Sequence, residues 1–85
     1  MSKNDSPREV VRRILSQIRR TVEREEADRD QWAQRLTRMM GIDYQRGELK
    51  HEEFRTASAG FENADARLGL LKEIEDFVAD IDLNL

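Results

Sequence analysis

Pairs of acidic side chains at helical spacing are the first features of this sequence that could do chemistry. Glu26 and Asp30 are four residues apart, and Glu62 and Asp65 are three apart, so each pair would lie on one face of a helix. Two neighbouring carboxylates can transfer protons or bind a metal ion, but acid–base catalysis needs a desolvated pocket that shifts a pKa. A helical chain of 85 residues has little interior. We therefore expect surface acids and no enzymatic activity.

His51 is the one histidine of the chain, and cysteine is absent. Thiolate zinc sites are therefore excluded. A di-iron carboxylate bundle would need a Glu-x-x-His motif, whereas His51 directly precedes Glu52 and Glu53 and suits a helix start. The sequence also has no glycine-rich phosphate loop and no nucleophile beside a base. It predicts no cofactor and no metal, with a carboxylate metal-binding helical bundle as a minor alternative.

Charge is distributed unevenly along the chain. Residues 1–40 carry ten basic and seven acidic side chains, whereas residues 41–85 carry five and eleven, which gives the net charge of −3. The arginine-rich first part could bind nucleic acid, because phosphate neutralisation supplies most non-specific affinity. The chain is acidic overall, however, and its one Trp lies on a predicted helix seam. We expect the two charge excesses to neutralise each other between neighbouring helices, and nucleic-acid binding is the alternative.

The elements that must position these side chains are two long helices. Ser6 is a predicted N-cap, Pro7 suits the first helical position, and Glu9 completes a capping-box pattern. Apolar residues then recur every three or four positions, which is the pattern of a helix packed along another helix. The apolar members of this pattern are Val11, Leu15, Ile18, Val22, Trp32, Leu36 and Met39. Glu25 and Arg29 occupy the two steps between Val22 and Trp32.

The helix boundaries follow from glycine and from charge. The first helix is predicted over about residues 7–40, with either Gly41 or Gly47 as its stop. Two acids suit the start of the second helix, over about residues 51–82. Its predicted seam again steps by three and four through Phe54, Ala57, Phe61, Ala64, Leu68, Leu71, Ile74, Val78 and Ile81. Residues 1–6 are predicted to be a disordered lead-in to a single domain over residues 7–85.

An antiparallel hairpin with its turn near residue 45 would bring residue i opposite roughly 90 − i. Trp32 would then lie opposite the small residues 56–60, and Arg29 would lie near Asp65. The arginines of residues 8–24 would face the acids of residues 68–82. The predicted fold class is therefore all-α, an antiparallel two-helix hairpin that dimerises into a four-helix bundle, with the hairpin core formed by Trp32, Leu36, Phe54 and Phe61.

Apolar side chains beside the seam suggest the function. Two helices packed only on each other would leave part of each apolar stripe in water, so a second copy or another protein should cover it. The predicted contact residues are Val10, Ile14, Leu70, Ile74 and Phe77. We expect a protein–protein interaction module, such as an adaptor, co-chaperone or inhibitor, that also uses its acidic second helix. With no cysteine and no apolar run of about 18 residues, we expect a cytoplasmic protein with no membrane contact.

Overall fold

The computed structural model describes residues 6–85, and it consists of two long helices joined by one turn. Helix α1 spans Pro7–Arg38 and continues into a π-helical segment over Met39–Asp43, and helix α2 spans His51–Asn84. The helices pack along each other in an elongated molecule of 63 × 21 × 16 Å. The predicted all-α helical hairpin is confirmed. Of the predicted lead-in, residues 1–5 lie outside the described residues.

Helix α1 begins where its capping residues predict. The Ser6 side-chain oxygen accepts a hydrogen bond from the backbone N–H of Glu9 at 3.2 Å, while Ser6 itself keeps an extended backbone. Pro7 occupies the first turn, where the missing N–H costs no intrahelical hydrogen bond. The side chains of Ser6 and Pro7 therefore define this helix start.

The helical path that begins with α1 does not stop at Gly41. The π-helical segment includes Gly41, helical structure resumes through Gln45, and the chain reverses at Gly47 with a φ of 70°. The Glu48 N–H donates to the carbonyl of Asp43 at 2.8 Å, which satisfies a terminal helix carbonyl. Glycine adopts this left-handed conformation at little cost. Helix α1 itself ends at Arg38, close to the predicted boundary of about residue 40, and of the two candidate glycines Gly47 is the one at which the continuing helical path stops.

The later turn changes the register between the helices. The residue numbers of three ion pairs, Arg12–Asp82, Arg19–Glu75 and Arg29–Asp65, each add to 94 rather than to the predicted 90. A shift of four residues is close to one helical turn, so the same helix faces still meet. For this reason the predicted Arg29–Asp65 pair forms, at 3.5 Å, although the predicted register is wrong.

The core is a narrow seam between the helices, and Leu68 is its largest fully buried side chain. Trp32 packs on the backbone of α2 at Gly60, where an added methyl group would lie 2.5 Å from the indole Cε2. The side chains predicted as hairpin core, Trp32, Leu36, Phe54 and Phe61, are half-buried. The fully buried positions are Leu15, Val22, Met39, Ala57, Ala64 and Leu68.

The predicted seam of α2 is wrong near its C-terminal end. Ile74 and Ile81 remain 41% and 37% exposed, whereas the side chains of Glu75 and Asp82 are only 26% and 21% exposed. The two isoleucines lie on one side of the central seam positions of α2 and the two acids lie on the other side. Either pair of side chains could therefore turn toward α1. Arginines on α1 pair with the acidic row, and the isoleucines are left on the opposite side.

No helix within residues 6–85 has the length and apolar character needed to cross a membrane.

A candidate interaction surface

Ion pairs close one side of the seam, which we call the ionic flank. Arg19 Nε lies 3.3 Å from Glu75 Oε1, and Arg12 Nε lies 3.5 Å from Asp82 Oδ1. The arginines of these pairs are exposed and the acids are partly exposed, and pairs near the surface contribute about 0–1 kcal/mol each and weaken with salt. Their structural effect is to bring charged side chains of both helices together along this side. The ionic flank comprises Arg12, Arg19, Glu26, Lys72, Glu75 and Asp82.

The opposite side of the seam can be located from one further ion pair. Arg67 Nη2 lies 3.4 Å from Asp28 Oδ2, so these two residues mark the same side of the hairpin. Seven residues correspond to nearly two helical turns, so positions seven apart share a side. Ile74 therefore follows Arg67 on α2, and Thr21 precedes Asp28 on α1. One more step of seven reaches Ile81 and Ile14.

Large apolar side chains occupy this side throughout the half of the molecule that carries the helix ends, and we call it the apolar flank. Phe77 is 69% exposed, Leu70 61% and Ile14 45%. Their exposed parts, with those of the two isoleucines of α2, form an apolar patch of roughly 500 Å², a size that in monomeric proteins is often functional. The apolar flank comprises Val10, Ile14, Leu70, Ile74, Phe77 and Ile81.

All five predicted interaction residues thus lie on one surface. Leu70, Ile74 and Phe77 follow each other at spacings of four and three on α2, and Val10 and Ile14 lie four residues apart on α1. The sequence assigned Ile81 to the core, and the structure adds it to the surface instead. Whether these residues bind another molecule stays a prediction.

Most of the acids considered for chemistry form ion pairs. Glu25, the carboxylate on the predicted seam, accepts a hydrogen bond from Arg67 Nε at 3.2 Å. Arg29 pairs with Asp30 and Asp65, Lys72 pairs with Glu26, and His51 is the exposed first residue of α2. Among residues 6–85, no three His, Cys, Asp or Glu side chains are grouped so that they could hold a metal ion.

A second exposed apolar surface lies at the turn, where the apolar pattern of the sequence did not predict one. Met40 is 64% exposed, Tyr44 is 69% exposed, and Ile42 lines an open groove along α1 with Gly41. The π-helical segment adds a residue to its turn, which rotates the following side chains away from the seam pattern. The apolar residues just beyond Gly41 were the signal in the sequence for this surface. Whether their side chains face the seam or the solvent depends on the π-helical turn, which the sequence pattern did not predict.

The fold and its surfaces define the class of protein as a helical hairpin with one ionic and one apolar flank. Searches against family models, curated proteins and solved structures find no match to this chain.

Proposed function

We propose that this chain is a non-enzymatic protein–protein interaction module and that the apolar flank is its binding surface. The observation that carries the proposal is the exposure of five large apolar side chains along one side of the hairpin. Burial of each such side chain stabilises a complex by roughly 1.5–3 kcal/mol before the cost of association is subtracted. A core this small supplies only a few kcal/mol. Covering the apolar flank would therefore matter as much as folding the hairpin.

The charges beside the apolar flank would select the partner. Glu73 and Asp80 are exposed on α2, and arginines line the α1 edge. Electrostatic complementarity of this kind favours a correctly oriented partner and increases the association rate. An adaptor, a co-chaperone and an inhibitor would all use such a surface. The absence of cysteine is compatible with a reducing compartment, and we propose the cytoplasm.

Two alternatives gain less support from the contacts. A nucleic-acid-binding helix would present its arginines to phosphates. Arg12 and Arg19 instead lie beside acids of α2, which leaves a smaller basic surface on α1. A carboxylate metal bundle would direct several acids toward one point. Glu25 and Asp28 instead share the guanidinium of Arg67.

Substitution of the most exposed aromatic side chain tests the proposal. In the native host, a tagged full-length chain should be cross-linked and its bound proteins quantified, second copies of the chain included. Phe77→Asp should reduce the cross-linked protein at least ten-fold, because a carboxylate at the centre of an apolar contact must be desolvated. Ile14→Asp, on the other helix of the same flank, should have the same effect.

The matched control is Leu83→Asp. Leu83 is 82% exposed on α2 but lies outside the apolar flank, so this variant should keep the cross-linked proteins. Circular dichroism should show that all three variants remain mainly helical, with Phe77→Asp and Ile14→Asp less stable to urea than Leu83→Asp because they lose the stabilisation that the covered flank provides. Equal capture by all of them would contradict the proposal. Co-purifying nucleic acid that dissociates steeply with salt would favour the first alternative, and thermal stabilisation by Fe²⁺ or Mn²⁺ would favour the second.

A further inference from the structure

We propose that a second copy of the chain covers the apolar flank and that the two copies point in the same direction. In this arrangement, a two-fold axis parallel to the helices places α1 of each copy against α2 of the other, with both turns at one end. The inference rests on the proposed function, because it names the occupant of the same surface. It is carried by the charges along the two edges of the apolar flank.

The two edges carry opposite charges. The α1 edge carries three exposed arginines. Arg13 and Arg20 directly precede Ile14 and Thr21, and Arg24 lies three residues after Thr21. On the α2 edge, the exposed acids are Glu73 and Asp80. The flank therefore runs from basic through apolar to acidic across its width. A surface of this kind is complementary to itself when a two-fold axis exchanges its edges.

The register of the hairpin places the arginines of one copy and the acids of the second copy at the same level along the helix axes. Because residue i lies level with 94 − i within one copy, an axis parallel to the helices keeps the same relation between copies. Arg20 would lie level with position 74 of the second copy, beside its Glu73. Arg13 would lie level with position 81, beside Asp80 of the second copy. Both basic side chains would meet acids.

The other two-fold arrangement brings like charges together. An axis across the helices would place α1 against α1 and α2 against α2, with the turns pointing in opposite directions. Arg13 and Arg20 would then face the same two arginines of the second copy, and the acids would face each other. Like charges that face each other across an interface oppose association. The charge pattern thus selects the parallel arrangement.

The size of the surface suits a second copy. The apolar patch of roughly 500 Å² and its charged edges together approach the ~800 Å² per partner of a typical specific interface. Ile14 and Thr21 lie on either side of the level of Phe77 in the second copy. The aromatic ring would therefore enter between two side chains of α1. Four helices would then enclose the exposed apolar residues, as in a four-helix bundle.

Charge reversal tests this arrangement by analytical ultracentrifugation. Arg20→Glu alone and Glu73→Arg alone should each weaken the dimer at least five-fold at low salt, because each creates two like-charge contacts. An equimolar mixture of the two variants should regain the wild-type affinity, because both contacts in the mixed dimer are then between opposite charges. The antiparallel arrangement predicts that Arg20→Glu strengthens the dimer, and that result would overturn the proposal.

A spin label at the turn provides an independent distance. The chain has no cysteine, so Gln45→Cys introduces a single labelling site just before the turn. Parallel copies with helices packed about 10 Å apart should give label separations below ~40 Å. In the antiparallel arrangement, overlap of only the apolar halves of molecules 63 Å long would separate the turns by more than ~60 Å.

The outcomes separate this inference from the proposed function. A wild-type chain that stays monomeric up to about 1 mM would overturn the second-copy inference. If that monomer still loses its cross-linked partner on Phe77→Asp, the interaction module stands with a different occupant. If Phe77→Asp has no effect on either self-association or capture, both proposals fail.

Discussion

The half of the hairpin near the turn and the half near the helix ends use the same two helices but pack them differently. Near the turn, α2 presents small residues, and the large ring of Trp32 fills the space above Gly60. Near the helix ends, branched side chains such as Leu15 and Val22 fill the seam, and further apolar residues remain outside it. Along the packed helices, the first half hides most of its apolar surface within the chain and leaves large apolar side chains exposed only at the turn itself, whereas the second half leaves them exposed along one side of the seam.

The comparison shows how the width of an apolar stripe decides whether a hairpin is self-sufficient. A seam between two helices covers a narrow strip of each. Small residues such as Ala57 and Ala64 are fully covered by that strip, and the positions beside them are polar. The stripe of α2 near the helix ends is wider, so Leu70 and Phe77 extend beyond the contact with α1. That excess is the candidate binding surface.

Loss of the side chain where the two halves meet should have the largest effect on stability. Leu68 is 1% exposed, and Leu68→Ala should lower the free energy of unfolding by about 2–5 kcal/mol, because it removes buried methyl groups and leaves a cavity. Urea unfolding at one fixed protein concentration measures this. Leu83→Ala, at an exposed position, should change the value by less than about 0.5 kcal/mol. Similar values for the two variants would mean that the seam is not the core.

Gly60 and Gly69 of α2 differ in whether a side chain of α1 packs on them. Gly60→Ala places a methyl group 2.5 Å from the ring of Trp32, and overpacking of this kind costs about 1–3 kcal/mol. Alanine also favours a helix by about 1 kcal/mol relative to glycine. We therefore expect a net loss of about 1 kcal/mol for Gly60→Ala in urea unfolding.

Gly69→Ala is the matched control for that substitution. A methyl group at Gly69 meets nothing within 4 Å, so only the helix propensity changes. We expect a gain of about 0.5–1 kcal/mol in the free energy of unfolding. Opposite signs at the two glycines would establish that Trp32 packs on the backbone near the turn. A gain at both positions would contradict that packing.

Removal of the ion pairs at the boundary of the apolar flank should have the smallest effect. Arg67 lies near both Glu25 and Asp28 and is half exposed. Arg67→Gln should therefore cost only about 0.5–1 kcal/mol at low ionic strength. The difference from the wild type should shrink in 1 M salt, because screening weakens exposed pairs. A loss that is large and independent of salt would instead point to packing by the Arg67 side chain.

The sequence by itself determined the elements and the general pairing of the helices. Ser6 and Pro7 defined the start of α1, and the spacing of apolar residues defined two helix seams, because both signals act within a few turns of one helix. The contact of Trp32 with small residues followed from a match between two local patterns. That match survived a register error of four residues because helix faces repeat after about one turn.

Only the tertiary structure decided which edge of α2 stays in water. Leu71 and Val78 fit two different seams. One seam turns Ile74 and Ile81 toward α1, and the other turns Glu75 and Asp82 toward it. The residues of each pair are seven apart along α2, so spacing does not distinguish the two seams. The choice depends on arginines more than 50 residues away in sequence. The π-helical turn and the stop at Gly47 set the register that brings them there. Contacts between distant residues, which periodicity along one helix does not contain, thus created the apolar flank.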